Sequence, residues 1–115
     1  MRRDLRLTSS TDFKRVRRDG RSYAHPLALL LISPNHRTSN RFGILAGRSV
    51  GGAVERNRAK RRLREALRSC TPTAGGGWDV VLIARRGVNR AGWEELRVAV
   101  GGLLQKAGLD GAANS

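Results

Sequence analysis

The chain has 115 residues, which fits one compact domain over residues 1–115, ordered from about residue 5 to residue 108. It carries 23 basic and 9 acidic residues, a formal net charge of +14, and such a charge opposes compaction unless an anionic partner such as nucleic acid offsets it. Its single cysteine excludes an intramolecular disulfide and a cysteine-based zinc site, which fits a reducing cytoplasm.

The first half of the chain predicts a short helix followed by strands. Polar residues 8–12 supply N-cap candidates, and Phe13 and Val16 recur at helical spacing until Asp19 and Gly20 end the pattern. Residues 22–32 are rich in apolar side chains but contain Pro26, which predicts either one strand or two short strands joined at the proline. Residues 35–40 form a polar loop, and residues 41–46 are a further strand candidate, followed by a glycine-rich entry into a helix.

Residues 53–70 predict a helix that separates its cations from an apolar stripe. At about 100° per residue, one face is apolar and can pack on a core, and it consists of Ala59, Leu63, Ala66, Leu67 and Cys70. An adjoining arc carries Asn57, Lys60, Arg61, Arg64 and Arg68, and further round lie Arg58, Arg62 and Glu65. Like charges at i and i+4 repel in the free helix, and a polyanion would reverse that cost. The alternative is a solvated face on a basic protein.

The second half predicts a buried strand and a last helix. Residues 71–77 predict a turn or a short linker. Residues 79–84 are a continuous apolar run opened by Asp79, which is typical of a central strand. Residues 85–92 form a loop, and residues 108–115 are expected to be a frayed tail. The helix over residues 93–107 has an apolar side formed by Trp93, Leu96, Val100, Leu103 and Leu104. The resulting order is α-β-β(-β)-α-β-α, a sheet with helices against it.

The sequence shows no convincing protein active site or membrane segment. His25 and His36 are isolated, and Asp79, Glu94 and Glu95 are explained by their places at strand and helix ends. Residues 75–77 are glycines without a following Lys-Ser/Thr pair, so a phosphate-binding nucleotide loop is not supported. The apolar run over residues 27–32 is too short to span a bilayer, which predicts a cytoplasmic protein without membrane contact.

The aromatic side chains are few. Trp78 and Trp93 lie next to apolar runs and are interpreted as core residues. Phe13 and Tyr23 either belong to the core or stack on the bases of a single-stranded nucleic acid.

The basic helix resembles a family signature. Arg56-Asn57-Arg58-x-Lys60-Arg61-x-x-Arg64, preceded by a glycine-rich turn and an Ala-Val pair, is similar to the motif of the bacterial ribonuclease P protein component. The resemblance covers about residues 5–109 and includes Asp12-Phe13, Gly20-Arg21-Ser22, Phe42-Gly43-Ile44 and residues 79–85. It implies an α+β, single-domain sandwich of order α-β-β-β-α-β-α, with a left-handed βαβ crossover that the general handedness rule would reject.

The resemblance also implies a function. The chain would be a non-catalytic subunit of ribonuclease P, in which a catalytic RNA subunit with Mg²⁺ removes the 5′ leader of precursor tRNA. The Mg²⁺ would be bound chiefly by that RNA, and neither a metal held by the protein nor an obligatory protein partner is expected. The residues that would face the catalytic RNA are Arg56, Asn57, Arg58, Lys60, Arg61, Arg64 and, less directly supported by the motif, Arg68.

A separate cleft between the first helix and the sheet would hold the single-stranded leader. Phe13 matches one aromatic position of that cleft, whereas Arg17 and Leu31 stand where the family commonly has aromatic residues. Where the family has a stretch similar to Ser-x-Ser-Lys-Lys, this chain has Leu45-Ala46-Gly47-Arg48-Ser49. Arg48 is the one cation in that stretch. The leader is therefore expected to be held more by charge than by stacking.

Three other classes of function compete with this one. A structural RNA-binding module of the ribosome would co-sediment with ribosomal subunits through high salt. A nucleoid-type DNA binder would bind duplex DNA and precursor tRNA equally well, because only its charge would matter. A self-sufficient nuclease would cleave without RNA, but the scattered carboxylates disfavour it.

Overall fold

The computed structural model describes residues 10–70 and 76–109, which form three helices and four strands. The elements are α1 (Ser10–Asp19), β1 (Arg21–His25), β2 (Ala28–Pro34), β3 (Arg41–Ala46), α2 (Ala53–Cys70), β4 (Trp78–Ala84) and α3 (Trp93–Lys106). Short 3₁₀ turns follow β3 and β4, at Arg48–Val50 and Val88–Arg90. The predicted α+β order is confirmed, and the Pro26 region divides the first apolar stretch into two strands.

The strands form one mixed sheet in the order β1-β2-β4-β3. β1 and β2 are an antiparallel hairpin, whose turn is closed by a hydrogen bond from the Leu27 N–H to His25 Nδ1 (3.0 Å). β2 pairs with β4 antiparallel, and β3 pairs with β4 in parallel. Helix α2 is the crossover between the two parallel strands, so β3-α2-β4 is the unit for which the resemblance implies a left-handed connection. That handedness stays a prediction.

Alternate side chains of the strands serve two separate cores, as the period of a pleated sheet requires. On one face Leu30 and Leu82 are buried together with Leu63 of α2 and Leu103 of α3. On the opposite face, called here the α1 face, Val16 of α1 is buried against the sheet through Leu31 and Val81. The sheet is therefore the middle layer of a sandwich, with α2 and α3 on one side and α1 on the other.

Gly20 allows the tight passage from α1 into β1. A Cβ on this residue would lie 2.4 Å from the Val16 carbonyl oxygen and 2.5 Å from that of Ile32. Both oxygens belong to backbone and cannot swing away, so any larger residue would displace α1 from the sheet. The Gly20 N–H donates to the same Val16 carbonyl (2.8 Å) and ends the helix.

Two expectations about the last helix are wrong. Trp93 is 46% exposed, because it lies in the first turn beside exposed Glu94 and Glu95, before the buried stripe begins at Leu96. Leu109 is only 2% exposed, whereas a frayed tail was expected from residue 108. Gly108 adopts a positive φ of 76°, and the Leu109 N–H donates to the Leu104 carbonyl (2.8 Å), which folds the chain back onto the core.

Some predicted features lie outside the described residues. They are the N-cap candidates Thr8 and Ser9, most of the turn over residues 71–77 and the tail over residues 110–115. Among the helices that the structure does describe, none combines the length and apolar character needed to cross a membrane.

Candidate nucleic-acid interface

Helix α2 buries the predicted apolar stripe. Ala59, Leu63, Ala66 and Leu67 are at most 1% exposed and pack into the core between the sheet and α3. Cys70, at the end of the stripe, is partly buried, with its Sγ 3.8 Å from the Arg97 carbonyl oxygen of α3. The helical-wheel prediction is confirmed, so the basic residues of α2 must point away from the core.

Most cations of α2 have no acidic partner in the part of the chain that the structure describes. Within residues 10–70 and 76–109, no ion pair or side-chain hydrogen bond involves five of them, and these define the free-cation face: Arg56, Arg58, Lys60, Arg61 and Arg64. Asn57 is exposed beside them. Arg68 differs, because it pairs with Glu65 at 2.9 Å. The free-cation face gives one side of the protein a concentrated positive potential that suits a polyanion.

Arg62 has a structural role that its place on the wheel did not reveal. Its guanidinium donates to the carbonyl oxygens of Val88 (2.7 Å) and Ala91 (2.5 Å), in the loop between β4 and α3. A third hydrogen bond joins the same loop to α2, from Asn89 Nδ2 to the Glu55 carbonyl oxygen (2.8 Å). The loop is therefore fixed to the basic helix at two points.

Three of the four predicted leader-binding residues lie together. Phe13 and Arg17 of α1 and Leu31 of β2 line a narrow cavity of about 60 Å³ on the α1 face, called here the α1 cleft. Its floor is completed by Leu45, Val81 and Ile83. Arg48 lies elsewhere, exposed in the turn after β3.

Lys14 also lines the α1 cleft and was missed by the sequence interpretation. Its signal was the spacing of three residues from Arg17, which places two cations on neighbouring positions of one helix. The cleft therefore combines one aromatic ring, an apolar floor and two cations. This chemistry suits a base with its phosphates.

A buried ion cluster fixes α1 to the sheet. Asp79 is fully buried and accepts hydrogen bonds from the Arg15 guanidinium, from Arg41 Nε (2.9 Å) and Nη2 (2.8 Å), and from Asn35 Nδ2 (2.9 Å). Asp12 adds a further carboxylate 3.4 Å from Arg41. Burial works to raise the pKa of Asp79, but the hydrogen bonds from Arg41 and Asn35 and the charges of Arg41 and Arg15 outweigh it, so the pKa lies below its ordinary value.

The sequence interpretation treated Asp79 as an ordinary strand-flanking residue. The signal that could have identified it is a carboxylate within a continuous apolar strand, since a buried charge requires a partner.

The carboxylates of this cluster do not fit a magnesium ion held by the protein. Both oxygens of Asp79 already accept from cationic or amide groups. The described part of the chain contains no group of three or more His, Cys, Asp or Glu placed to hold a metal ion. Hard divalent cations prefer several carboxylate or carbonyl oxygens, which these residues do not offer.

Comparisons with known proteins agree with this architecture. A family model described as Ribonuclease P matches residues 1–108. The ribonuclease P protein component of Herpetosiphon aurantiacus is 47% identical over 109 residues, covering 95% of this chain and 89% of that protein. The corresponding protein of Roseiflexus castenholzii is 41% identical over 110 residues, covering 95% and 90%.

The solved structure of the RNase P protein from Thermotoga maritima superposes with a TM-score of 0.77 at 28% identity, covering 88% of this chain and 96% of that one. The Staphylococcus aureus RNase P protein gives a TM-score of 0.80 at 24% identity, covering 91% and 96%, which supports the fold. Sequence and fold agree over nearly the whole length, and the chain belongs to the ribonuclease P protein component family.

Proposed function

We propose that this chain is the protein subunit of ribonuclease P and assists removal of the 5′ leader from precursor tRNA. The free-cation face of α2 would bind the catalytic RNA, and the α1 cleft would hold the leader. Hydrolysis of the phosphodiester is assigned to the RNA subunit, with Mg²⁺ bound chiefly by that RNA. Family membership supports the proposal, and the observation that carries it is the free-cation face.

The free-cation face supports RNA docking because its charge has no counterpart in the described chain. Lys60 and Arg64 are one turn apart on the same side of α2, so their charges repel each other until an anion approaches. Phosphates would turn that repulsion into attraction and release condensed counterions. The apolar stripe holds the helix rigidly while this happens, so little ordering is needed on binding.

The α1 cleft supports leader binding through a different chemistry. Its cavity of about 60 Å³ is too small to enclose a nucleotide, so a base would lie across the opening rather than inside it. Phe13 offers a partly buried ring for stacking, and Lys14 and Arg17 offer cations to the flanking phosphates. Such contacts tolerate many sequences, because every base has a flat face and every nucleotide has a phosphate.

Arg48 would act apart from this cleft. It is exposed after the carboxyl end of β3 and could reach an RNA strand that leaves the α1 cleft toward α2. We infer a contact with phosphate rather than with a base, because a guanidinium group binds phosphate through charge-assisted hydrogen bonds.

Reconstitution tests the proposal. Catalytic RNA is assayed on precursor tRNA over a range of Mg²⁺ concentrations, with and without the protein. We expect the protein to lower the Mg²⁺ concentration needed for cleavage and to increase cleavage most for a substrate with a long leader. A substrate with a single-nucleotide leader is the matched control. Equal cleavage with and without protein on both substrates would contradict the proposal.

A further inference from the structure

A second cavity lies at the carboxyl ends of the two parallel strands, on neither of the surfaces discussed above. It has a volume of about 330 Å³, in the size range of small-molecule sites. Ser49 and Val50 reach it from the turn after β3, and Arg86, Asn89 and Arg90 from the loop after β4. Segments that follow the carboxyl ends of adjacent parallel strands commonly form ligand-binding crevices.

The cavity presents two cations without partners. Arg86 and Arg90 are exposed, and neither side chain makes an ion pair or hydrogen bond within the described residues. Their backbone is held firmly, because Arg62 and Asn89 tie this loop to α2. Two flexible guanidinium groups on a fixed loop suit a phosphate, which they can approach from two sides.

An unsatisfied acceptor lies in the same place. Asn89 Oδ1 is buried and is the only buried side-chain polar atom without a hydrogen-bond partner among the described residues. The amide orientation is fixed, because Nδ2 must face the Glu55 carbonyl oxygen to which it donates (2.8 Å). A buried acceptor without a donor is costly, so a ligand that supplies a hydroxyl group would gain from reaching it.

Glu55 sets the polarity of the cavity. Among the described residues it is the one carboxylate that lines the cavity, and its charge disfavours a phosphate on its own side. An anion is therefore favoured beside Arg86 and Arg90, and hydrogen-bond donors are favoured toward Glu55 and Asn89. A phosphate with a hydroxyl group nearby is the pattern of a ribonucleotide, in which the 2′-hydroxyl distinguishes RNA from DNA.

We propose that this cavity binds one ribonucleotide of an RNA strand, with its phosphate beside Arg86 and Arg90 and its 2′-hydroxyl donating to Asn89 Oδ1. The site rests on the proposed RNA-binding function but uses none of the residues of the free-cation face or the α1 cleft. The strand is supplied by the catalytic RNA or by precursor tRNA, and the experiment separates the two.

The test compares a short oligouridylate with its 2′-deoxy analogue, titrated against the full chain. We expect the wild-type protein to prefer the ribose strand by about fivefold, as one net hydrogen bond predicts. Asn89→Leu should remove this preference. Arg86→Gln/Arg90→Gln should weaken both strands alike and make the salt dependence shallower by about one unit of log–log slope. The second variant alters only exposed side chains, so it remains informative if Asn89→Leu fails to fold.

Arg21→Gln/Lys106→Gln is the matched control, because it removes two exposed cations without touching the cavity. A ribose preference that survives in folded Asn89→Leu, or equal effects of the arginine pair and the control pair, would overturn this site alone. Failure of the wild-type protein to bind either strand would overturn the RNA-binding function as well.

The same variants are then titrated with catalytic RNA and with precursor tRNA. A loss confined to one of them identifies the source of the strand and supports the site. Unchanged affinity of Arg86→Gln/Arg90→Gln for both RNAs would overturn it.

Discussion

Arg15 on α1 and Asp79 on β4 form an ion pair across the α1 face, with the carboxylate fully buried and the guanidinium side chain 29% exposed. The same stretch of α1 carries Phe13 and Arg17, which line the α1 cleft. Because Arg15 lies between these two residues, its bond to the sheet also sets where they stand. The geometry of the α1 cleft, where we propose that the leader binds, therefore depends on a charge pair outside the cleft lining.

Asp79→Asn is expected to lower the free energy of unfolding by about 3 kcal/mol, because Arg15 and Arg41 would lose the carboxylate that compensates their charge. Urea denaturation followed by circular dichroism measures this change. Asp19→Asn is the control, since it removes a carboxylate from an exposed pair with Arg18 and should change stability little. An equal decrease of the unfolding free energy in the two variants would contradict a stabilising role for the buried Asp79 carboxylate.

The same carboxylate predicts a pH dependence. Its pKa is lower in the folded chain than the ordinary value of 3.8, so the unfolded state binds the proton more readily. The stability from Asp79 is fully present above about pH 5 and is lost as the pH falls through the unfolded value of 3.8 and then through the depressed folded pKa. The difference in unfolding free energy between wild type and Asp79→Asn should therefore shrink between pH 5 and pH 2. A difference that grows on acidification would contradict the assignment.

Arg61→Ala/Arg64→Ala should weaken binding to the catalytic RNA by roughly twentyfold, as the loss of two solvent-screened contacts of about 1 kcal/mol each predicts. The log–log salt dependence should become shallower by about two units. Filter binding at several salt concentrations measures both quantities, and circular dichroism checks the helix. The matched control is Arg21→Ala/Lys106→Ala, which removes two exposed cations outside α2. Similar losses in the two variants would mean that net charge alone drives binding.

Arg62→Ala should lower the free energy of unfolding. The two hydrogen bonds to Val88 and Ala91 are charge-assisted and partly buried, so their loss should cost about 2 kcal/mol. Arg61→Ala, at the neighbouring exposed position, should leave the unfolding free energy nearly unchanged. Thermal and urea unfolding of the two variants distinguish an anchoring arginine from an RNA-facing one. Equal stability of both would remove the structural role of Arg62.

The leader should make precursor tRNA bind more tightly than mature tRNA, and Phe13→Leu should reduce this difference in affinity by about fivefold. Stacking of a base on an aromatic ring contributes on the order of 1–3 kcal/mol. The measurement is the ratio of affinities for precursor tRNA and mature tRNA in the presence of the catalytic RNA. Tyr23→Leu is the matched control, because Tyr23 is also a partly buried aromatic residue but packs in the other core. An unchanged ratio in Phe13→Leu would exclude stacking in the α1 cleft.

The local patterns of the sequence predicted the elements well. The strand over residues 41–46 and the helix over residues 53–70 agree with β3 and α2 at both ends. The buried stripe of α2 follows directly from helical periodicity, because residues three or four positions apart share the face that packs on the core. The family resemblance is confirmed by the comparisons. The roles assigned to individual RNA-facing residues stay predictions.

Features that depend on distant residues could not be read from one sequence. The partners of Asp79 lie 64 positions away at Arg15 and 38 positions away at Arg41, and nothing local marks either one. Trp93 is exposed for a related reason. Periodicity predicts which face of a helix is apolar, but it does not predict how many turns of that face other elements cover. The loop bonds of Arg62 belong to the same class, because they require the β4–α3 connection to pass beside α2.

The unpaired cations of α2 give added salt two opposite effects. Dissolved ions weaken the repulsion among neighbouring guanidinium and ammonium groups, so the isolated protein becomes easier to fold as ionic strength rises. The same ions compete with the protein for RNA phosphates, so the assembled particle becomes easier to take apart. RNA that binds the folded chain more tightly than the unfolded chain would replace salt as the stabilising counterion. At low ionic strength the folded state would then depend most on bound RNA, and the protein and the RNA would also associate most tightly there.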